Sequence, residues 1–182
     1  MGKQRKILFA VLSAMFASLI IVTTAYIRIP APLGYVHIGD SMIYLSASIL
    51  PGPFGFLSAA IGGALADLLA GYPQWMPATA IIKALNVLPF FLVKLFLKGK
   101  AKSDKISSAL NILMLIPTTL VTLGGYFIAN MLMYGVGAAV GELLPNLLQA
   151  TASAAVFILL GLSLDSVSFK KRIILGENKT KP

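Results

Sequence analysis

Residues 78–97 read ATAIIKALNVLPFFLVKLFL, and only Thr79, Lys83, Asn86 and Lys94 in them are polar. A run of this length and apolarity suits a helix crossing the hydrocarbon core, which takes about 20 residues. Thr79, Lys83 and Asn86 are spaced by four and three, so a helix places them on one face near one end. Two later apolar runs repeat the device. One carries Thr122, Tyr126, Asn130 and Tyr134, the other Glu142, Asn146, Gln149 and Ser153. In alternating spans all three stripes fall in the same leaflet. A charge at the bilayer centre costs about 2.5–3.5 kcal/mol on insertion scales, so Lys83 and Glu142 are expected to face a polar hollow inside a helix bundle.

Composition agrees with a membrane protein. The 182 residues are 58% hydrophobic and 12% charged, against about 25% charged in soluble domains, and the mean hydropathy is +0.88. The length suits a single membrane-embedded domain over residues 1–182. The absence of cysteine excludes disulfides, thiolate metal sites and a cysteine nucleophile. The net charge of +9 does not point to nucleic acid, because most Lys and Arg lie in short segments between or beyond apolar runs.

The expected architecture is an all-α bundle of six transmembrane helices. The spans run over about residues 7–27, 42–50, 54–70, 78–97, 106–134 and 143–164. The first follows Lys3, Arg5 and Lys6 as a signal peptide would, but lacks an Ala-x-Ala cleavage pattern, so a retained helix is expected. Arg28 to Asp40 reads as a loop, and Pro51-Gly52-Pro53 as a sharp turn. Gly62, Gly63, Ala59 and Ala66 in the third span allow close helix approach. The amino terminus, the loop with Lys98, Lys100, Lys102 and Lys105, and the tail with Lys170, Lys171, Arg172, Lys179 and Lys181 are basic. The positive-inside rule makes them cytoplasmic, which places both termini inside and the stripes in the outer half.

No G-x-x-x-x-G-K-[ST] loop for ATP, H-E-x-x-H or Gly-x-Ser-x-Gly motif occurs, and His37 is the single histidine. Catalytic residues, metal ligands and a cofactor are therefore not expected.

Against this background the segments His37-Ile38-Gly39-Asp40, Leu50-Pro51-Gly52-Pro53-Phe54-Gly55, Gly62-Gly63 through Ala66-Asp67 to Tyr72, and Pro77-Ala78-Thr79 to Lys83 stand out. In them the chain resembles the substrate-binding S components of energy-coupling factor (ECF) vitamin transporters. Ala10-x-x-x-Ala14 resembles the motif by which such proteins dock on their transmembrane T component. The resemblance implies capture of a small vitamin outside a prokaryotic cell membrane, then delivery through a T component and two ATPase subunits. The pattern is closest to the hydroxymethylpyrimidine or pyridoxine (vitamin B6) type, with another vitamin such as riboflavin as the alternative. An ion-coupled solute transporter using Glu142 or Asp67, and a membrane enzyme, are the competing classes.

Each candidate site residue carries two readings. Lys83 either snorkels to the interface or meets ligand, with Glu142 its expected partner across the cavity. Thr79, Asn86, Asn130, Asn146 and Gln149 either contact cargo or join helices. Tyr126 and Tyr134 either pack or stack on a flat heterocycle. Trp75 is an interfacial anchor or a lid, and His37 a solvated loop residue or a ligand contact. Asp40 and Asp67 are expected to cap helices or pair with Arg28, and Lys94 and Lys98 to snorkel to the cytoplasm. Ala10, Ala14, Ala17 and Ser18 form one small-residue flank.

Overall fold

A computed structural model of the protein describes residues 2–31, 34–96 and 105–175. Lys98, Lys100, Lys102, Lys179 and Lys181, which entered the charge argument, lie outside the described residues.

The chain is an all-α membrane protein. The helices are α1 (Lys3–Ala25), α2 (Asp40–Ile49), α3 (Gly52–Ala70), α4 (Met76–Phe96), α5 (Ala109–Leu113), α6 (Leu115–Tyr134), α7 (Val136–Gly141) and α8 (Leu143–Ser166). Among the described residues, five helical segments are long and apolar enough to cross a membrane: Lys3–Ala25, Gly52–Ala70, Pro73–Phe96, Ala109–Tyr134 and Val136–Ser166. The outward face of α1 shows why. Ile7, Val11, Met15, Leu19 and Val22 recur every three or four residues along it, all exposed, an apolar stripe suited to a membrane interior.

The segment read as a short second span departs from a full crossing. α2 has ten residues, about 15 Å at 1.5 Å per residue, half a hydrocarbon core. It is nonetheless apolar because it is wrapped by α1, α3, α4 and α8. A helix ending inside apolar surroundings must satisfy its last carbonyls. Lys94 of α4 does this. Its Nζ donates to the carbonyl oxygens of Ala47 (2.6 Å), Ser48 (3.1 Å) and Leu50 (3.4 Å), a cation on the negative end of a helix dipole. Lys94, expected to snorkel, is exposed and caps the end of α2 with its ammonium.

Two further expectations change. Arg28 to Asp40 is not all loop: β1 (Arg28–Ala31) and β2 (Gly34–His37) pair antiparallel, with Arg28 opposite His37 and Pro30 opposite Tyr35. The fifth apolar run is broken at Met114 into α5 and α6. Asp165 near the end of α8 holds the start of that run. Its carboxylate accepts from the Ile106 N–H at 2.7 Å, the Ser107 N–H at 2.8 Å and the Ser107 hydroxyl at 2.6 Å.

Helix contacts follow the small residues. A methyl group on Gly62 would lie 2.9 Å from Ile20 Cβ, and one on Gly63 2.9 Å from Lys83 Cγ, so α3 touches α1 and α4 at nearly backbone distance. Beneath the polar end, Tyr44 of α2, Phe90 of α4 and Phe157 of α8 pack with ring centroids 6.0–6.3 Å apart. This aromatic plug is fully buried and forms the bundle's floor.

Candidate functional site

Local geometry brings five parts of the chain to one end of the bundle. α3 stops at Gly71, whose φ of +87° suits glycine. The Gly71 N–H donates to Leu68 O at 3.2 Å and the Tyr72 N–H to Asp67 O at 2.8 Å, a paired closure that folds Tyr72 back over the helix end. A single 3-10 turn, Pro73–Trp75, then aims Trp75 inward before α4 begins. α6 ends at Gly135, again at positive φ (+89°), and α6 packs against α4 and against the following α7 and α8. The β-hairpin closes the side.

These parts enclose a pocket of about 60 Å3, lined by residues of every one of them. Tyr35 and His37 come from the hairpin, Asp67 and Tyr72 from the end of α3, and Trp75 and Thr79 from the start of α4. Tyr126 and Asn130 belong to α6, and Glu142, Asn146 and Gln149 to the start of α8.

One wall is aromatic. The Trp75 ring lies 5.9 Å from both Tyr126 and Tyr134, and Tyr35 lies 5.4 Å from Tyr72 and 5.6 Å from His37. The Tyr35 hydroxyl donates to Asp67 Oδ1 at 2.8 Å, and Arg28 stands over the Tyr35 ring at 4.9 Å while donating to Ala70 O at 3.1 Å. Burial, reinforced by the Asp67 carboxylate, pushes the Tyr35 pKa up, so its hydroxyl stays protonated. Arg28 thus pins the hairpin to α3 without pairing with an aspartate.

The polar wall has a defined sense. His37 is held neutral: burial first, and Lys83 second, bring its pKa down to about 4 against the opposing pull of Asp40. The Gly39 N–H donates to His37 Nδ1 at 3.0 Å, which leaves Nε2 as the ring's donor. Asn130 donates its Nδ2 to Tyr126 O at 2.9 Å, while its buried Oδ1 has no hydrogen-bond partner in the protein. Gln149 donates its Nε2 to Asp40 Oδ2 at 3.0 Å. The Thr79 and Tyr126 hydroxyls lie 3.3 Å apart.

His37, Trp75, Thr79, Tyr126, Asn130, Glu142, Asn146 and Gln149 all line this pocket. Lys83 and Asn86 do not line the pocket. Lys83 is 1% exposed, and its Nζ sits 2.6 Å from Asp40 Oδ1, so its charge partner is Asp40 and not Glu142. Asn86, a turn deeper, donates to Thr122 Oγ1 at 3.0 Å and joins α4 to α6. Tyr35, Asp67 and Tyr72 were not anticipated in the site. Their signal was a tyrosine or aspartate near the end of an apolar run, which also reads as an interfacial belt or a helix cap.

Residues 4–166 match the protein family described as "ECF-type riboflavin transporter, S component". The chain belongs to this family. A protein of Pyrococcus woesei, described as "Uncharacterized protein in gap 3'region", is 36% identical over 155 residues, covering 84% of this chain and 95% of its own. In this S component the small flank of α1 faces outward: Ala10, Ala14 and Ser18 are exposed, whereas Phe9, Leu12, Ser13 and Phe16 face the bundle. Ala10 and Ala14 therefore lie apart from the internal packing.

Proposed function

We propose that this S component captures riboflavin in the pocket formed by the hairpin and the outer ends of α4, α6 and α8. The observation that carries this reading is the pocket's lining: a tryptophan–tyrosine wall suited to a flat ring system, facing amides, a neutral histidine and carboxylates suited to polar ring edges and hydroxyls. The family match favours riboflavin.

In this account α2 counts as a sixth, half-length crossing. It runs alongside α4 from Asp40 at Lys83 to its carbonyl end at Lys94, in the same direction as α4. With six crossings both basic termini are cytoplasmic and the pocket faces outside. The cell is a prokaryote, in keeping with the Pyrococcus relative. Ala10 and Ala14 offer a smooth outward strip on which a T-component helix packs, and two ATPases supply the energy.

Native mass spectrometry of the detergent-purified protein tests the ligand. A retained or added riboflavin mass, displaced by no excess of pyridoxine, is expected. Preferential retention of pyridoxine or hydroxymethylpyrimidine overturns the choice of vitamin. Uptake by the chain alone, without T component and ATPases, would favour the ion-coupled class instead.

A further inference from the structure

Lys83 and Asp40 are the most deeply buried charges near the pocket, and neither is among the residues lining it. They touch the pocket wall from behind. Asp40 takes Lys83 on Oδ1 at 2.6 Å and the Gln149 amide N–H on Oδ2 at 3.0 Å. Lys83 Nζ stands 5.0 Å from the centre of the Tyr126 ring. His37 is bonded through Nδ1 to the Gly39 N–H, next to Asp40. One ion pair thus ties α2, α4, α6 and α8 together immediately beneath three lining side chains.

The tie has a chemical consequence for Gln149. An amide offers donors on one side and an acceptor on the other. A carboxylate behind it can only accept, so Asp40 fixes which side points where. The Nε2 group is turned to Asp40, and Oε1 is left for the pocket that Gln149 lines. Asn130 has the same polarity by another route, its Nδ2 committed to Tyr126 O.

We infer that Lys83 and Asp40 are positioning residues, whose ion pair holds Gln149 with its amide oxygen toward a hydrogen-bond donor of the ligand. The inference rests on the pocket being the vitamin site. It assigns Lys83 no ligand contact: the ammonium compensates Asp40, and Asp40 orients the amide. The ligand class that fits is a neutral molecule presenting N–H or O–H groups to Gln149 and Asn130.

Neutralising the pair together separates positioning from contact. Riboflavin affinity is measured by calorimetry, and thermal unfolding in detergent is followed in parallel. Lys83→Met alone leaves a bare buried carboxylate and should lower stability and weaken riboflavin binding by about tenfold or more. The double variant Asp40→Asn/Lys83→Met removes both charges and keeps an acceptor for Gln149 Nε2. It should recover stability and bind within about threefold of wild type. Gln149→Leu should weaken binding, and the double neutralisation should then change it no further. A folded double variant as weak as Lys83→Met overturns the inference. So does a riboflavin-bound structure of the unaltered protein with Lys83 Nζ within hydrogen-bond distance of the ligand, whichever variants fold. Wild-type protein that binds no riboflavin at all fails the vitamin assignment instead, and recovery of stability in the double variant still reports on the pair.

Discussion

Replacing Asn130 by leucine should move binding and stability in opposite directions. Asn130 is 2% exposed and makes one hydrogen bond, to a helix carbonyl four residues back; its Oδ1 makes none. An unsatisfied buried acceptor costs about 1–3 kcal/mol, whereas a side-chain hydrogen bond between membrane groups contributes about 0.6 kcal/mol on average. Leucine is similar in size and removes both. The ligand-free protein should therefore be at least as stable as wild type, and more stable by up to about 2 kcal/mol. Riboflavin supplies the missing donor in our account, so the variant forfeits that bond. At 1.4 kcal/mol per tenfold, the loss is about five- to 150-fold in Kd. Calorimetric titration and thermal unfolding of the same preparation give both numbers. Unchanged affinity, or a fall in ligand-free stability matching the fall in affinity, would refute the assignment of Oδ1 to the ligand.

Protonation of His37 gives a second test. The unfolded side chain takes its proton near 6.5 and the folded one near about 4, so between these values only the unfolded state is charged. Stability present above pH 6.5 should be lost progressively as the pH falls toward 4, by about 3 kcal/mol at most, and His37→Gln should flatten that slope in thermal unfolding. Riboflavin binding should stay level from pH 8 to about 5 by the same reasoning. Ala14→Trp should abolish assembly with the T component and uptake while leaving riboflavin affinity intact, read by co-purification and calorimetry; loss of affinity would put Ala14 in the core. Asp165→Ala strips three hydrogen bonds from Ile106 and Ser107, just before α5, and should lower stability by about 2–3 kcal/mol, with riboflavin affinity unchanged because Asp165 lies at the far end of α8 from the pocket.

Helical spacing made the polar faces of α4, α6 and α8 legible in the sequence, since a step of three or four residues returns to the same side whatever the bundle does. Depth was not legible. Each turn carries a side chain about 5.4 Å further along the axis, so Thr79 reaches the pocket, Lys83 the layer below it, and Asn86 the α4–α6 contact with Thr122. Asp40 as the partner of Lys83 could not be read either. The two are 43 positions apart and meet because α2 is buried between helices, a tertiary fact with no local periodicity. Likewise the hairpin is too short to announce itself: Arg28–Ala31 contains Pro30, a residue that normally argues against a strand and is tolerated here at an edge. Lys94 looked like any lysine near a helix end. Only the carbonyls of α2, which stops halfway across the bundle, explain where its ammonium goes.

Trp75 is the sole tryptophan of the chain and stands in the pocket wall, so its emission reports on this site and no other. Titrating the purified protein with riboflavin should quench Trp75 fluorescence and saturate at one vitamin per chain, with Asn130→Leu shifting the midpoint upward. Stoichiometric riboflavin binding by calorimetry that leaves Trp75 emission untouched would contradict the claim that α4, α6, α8 and the hairpin together form the vitamin site.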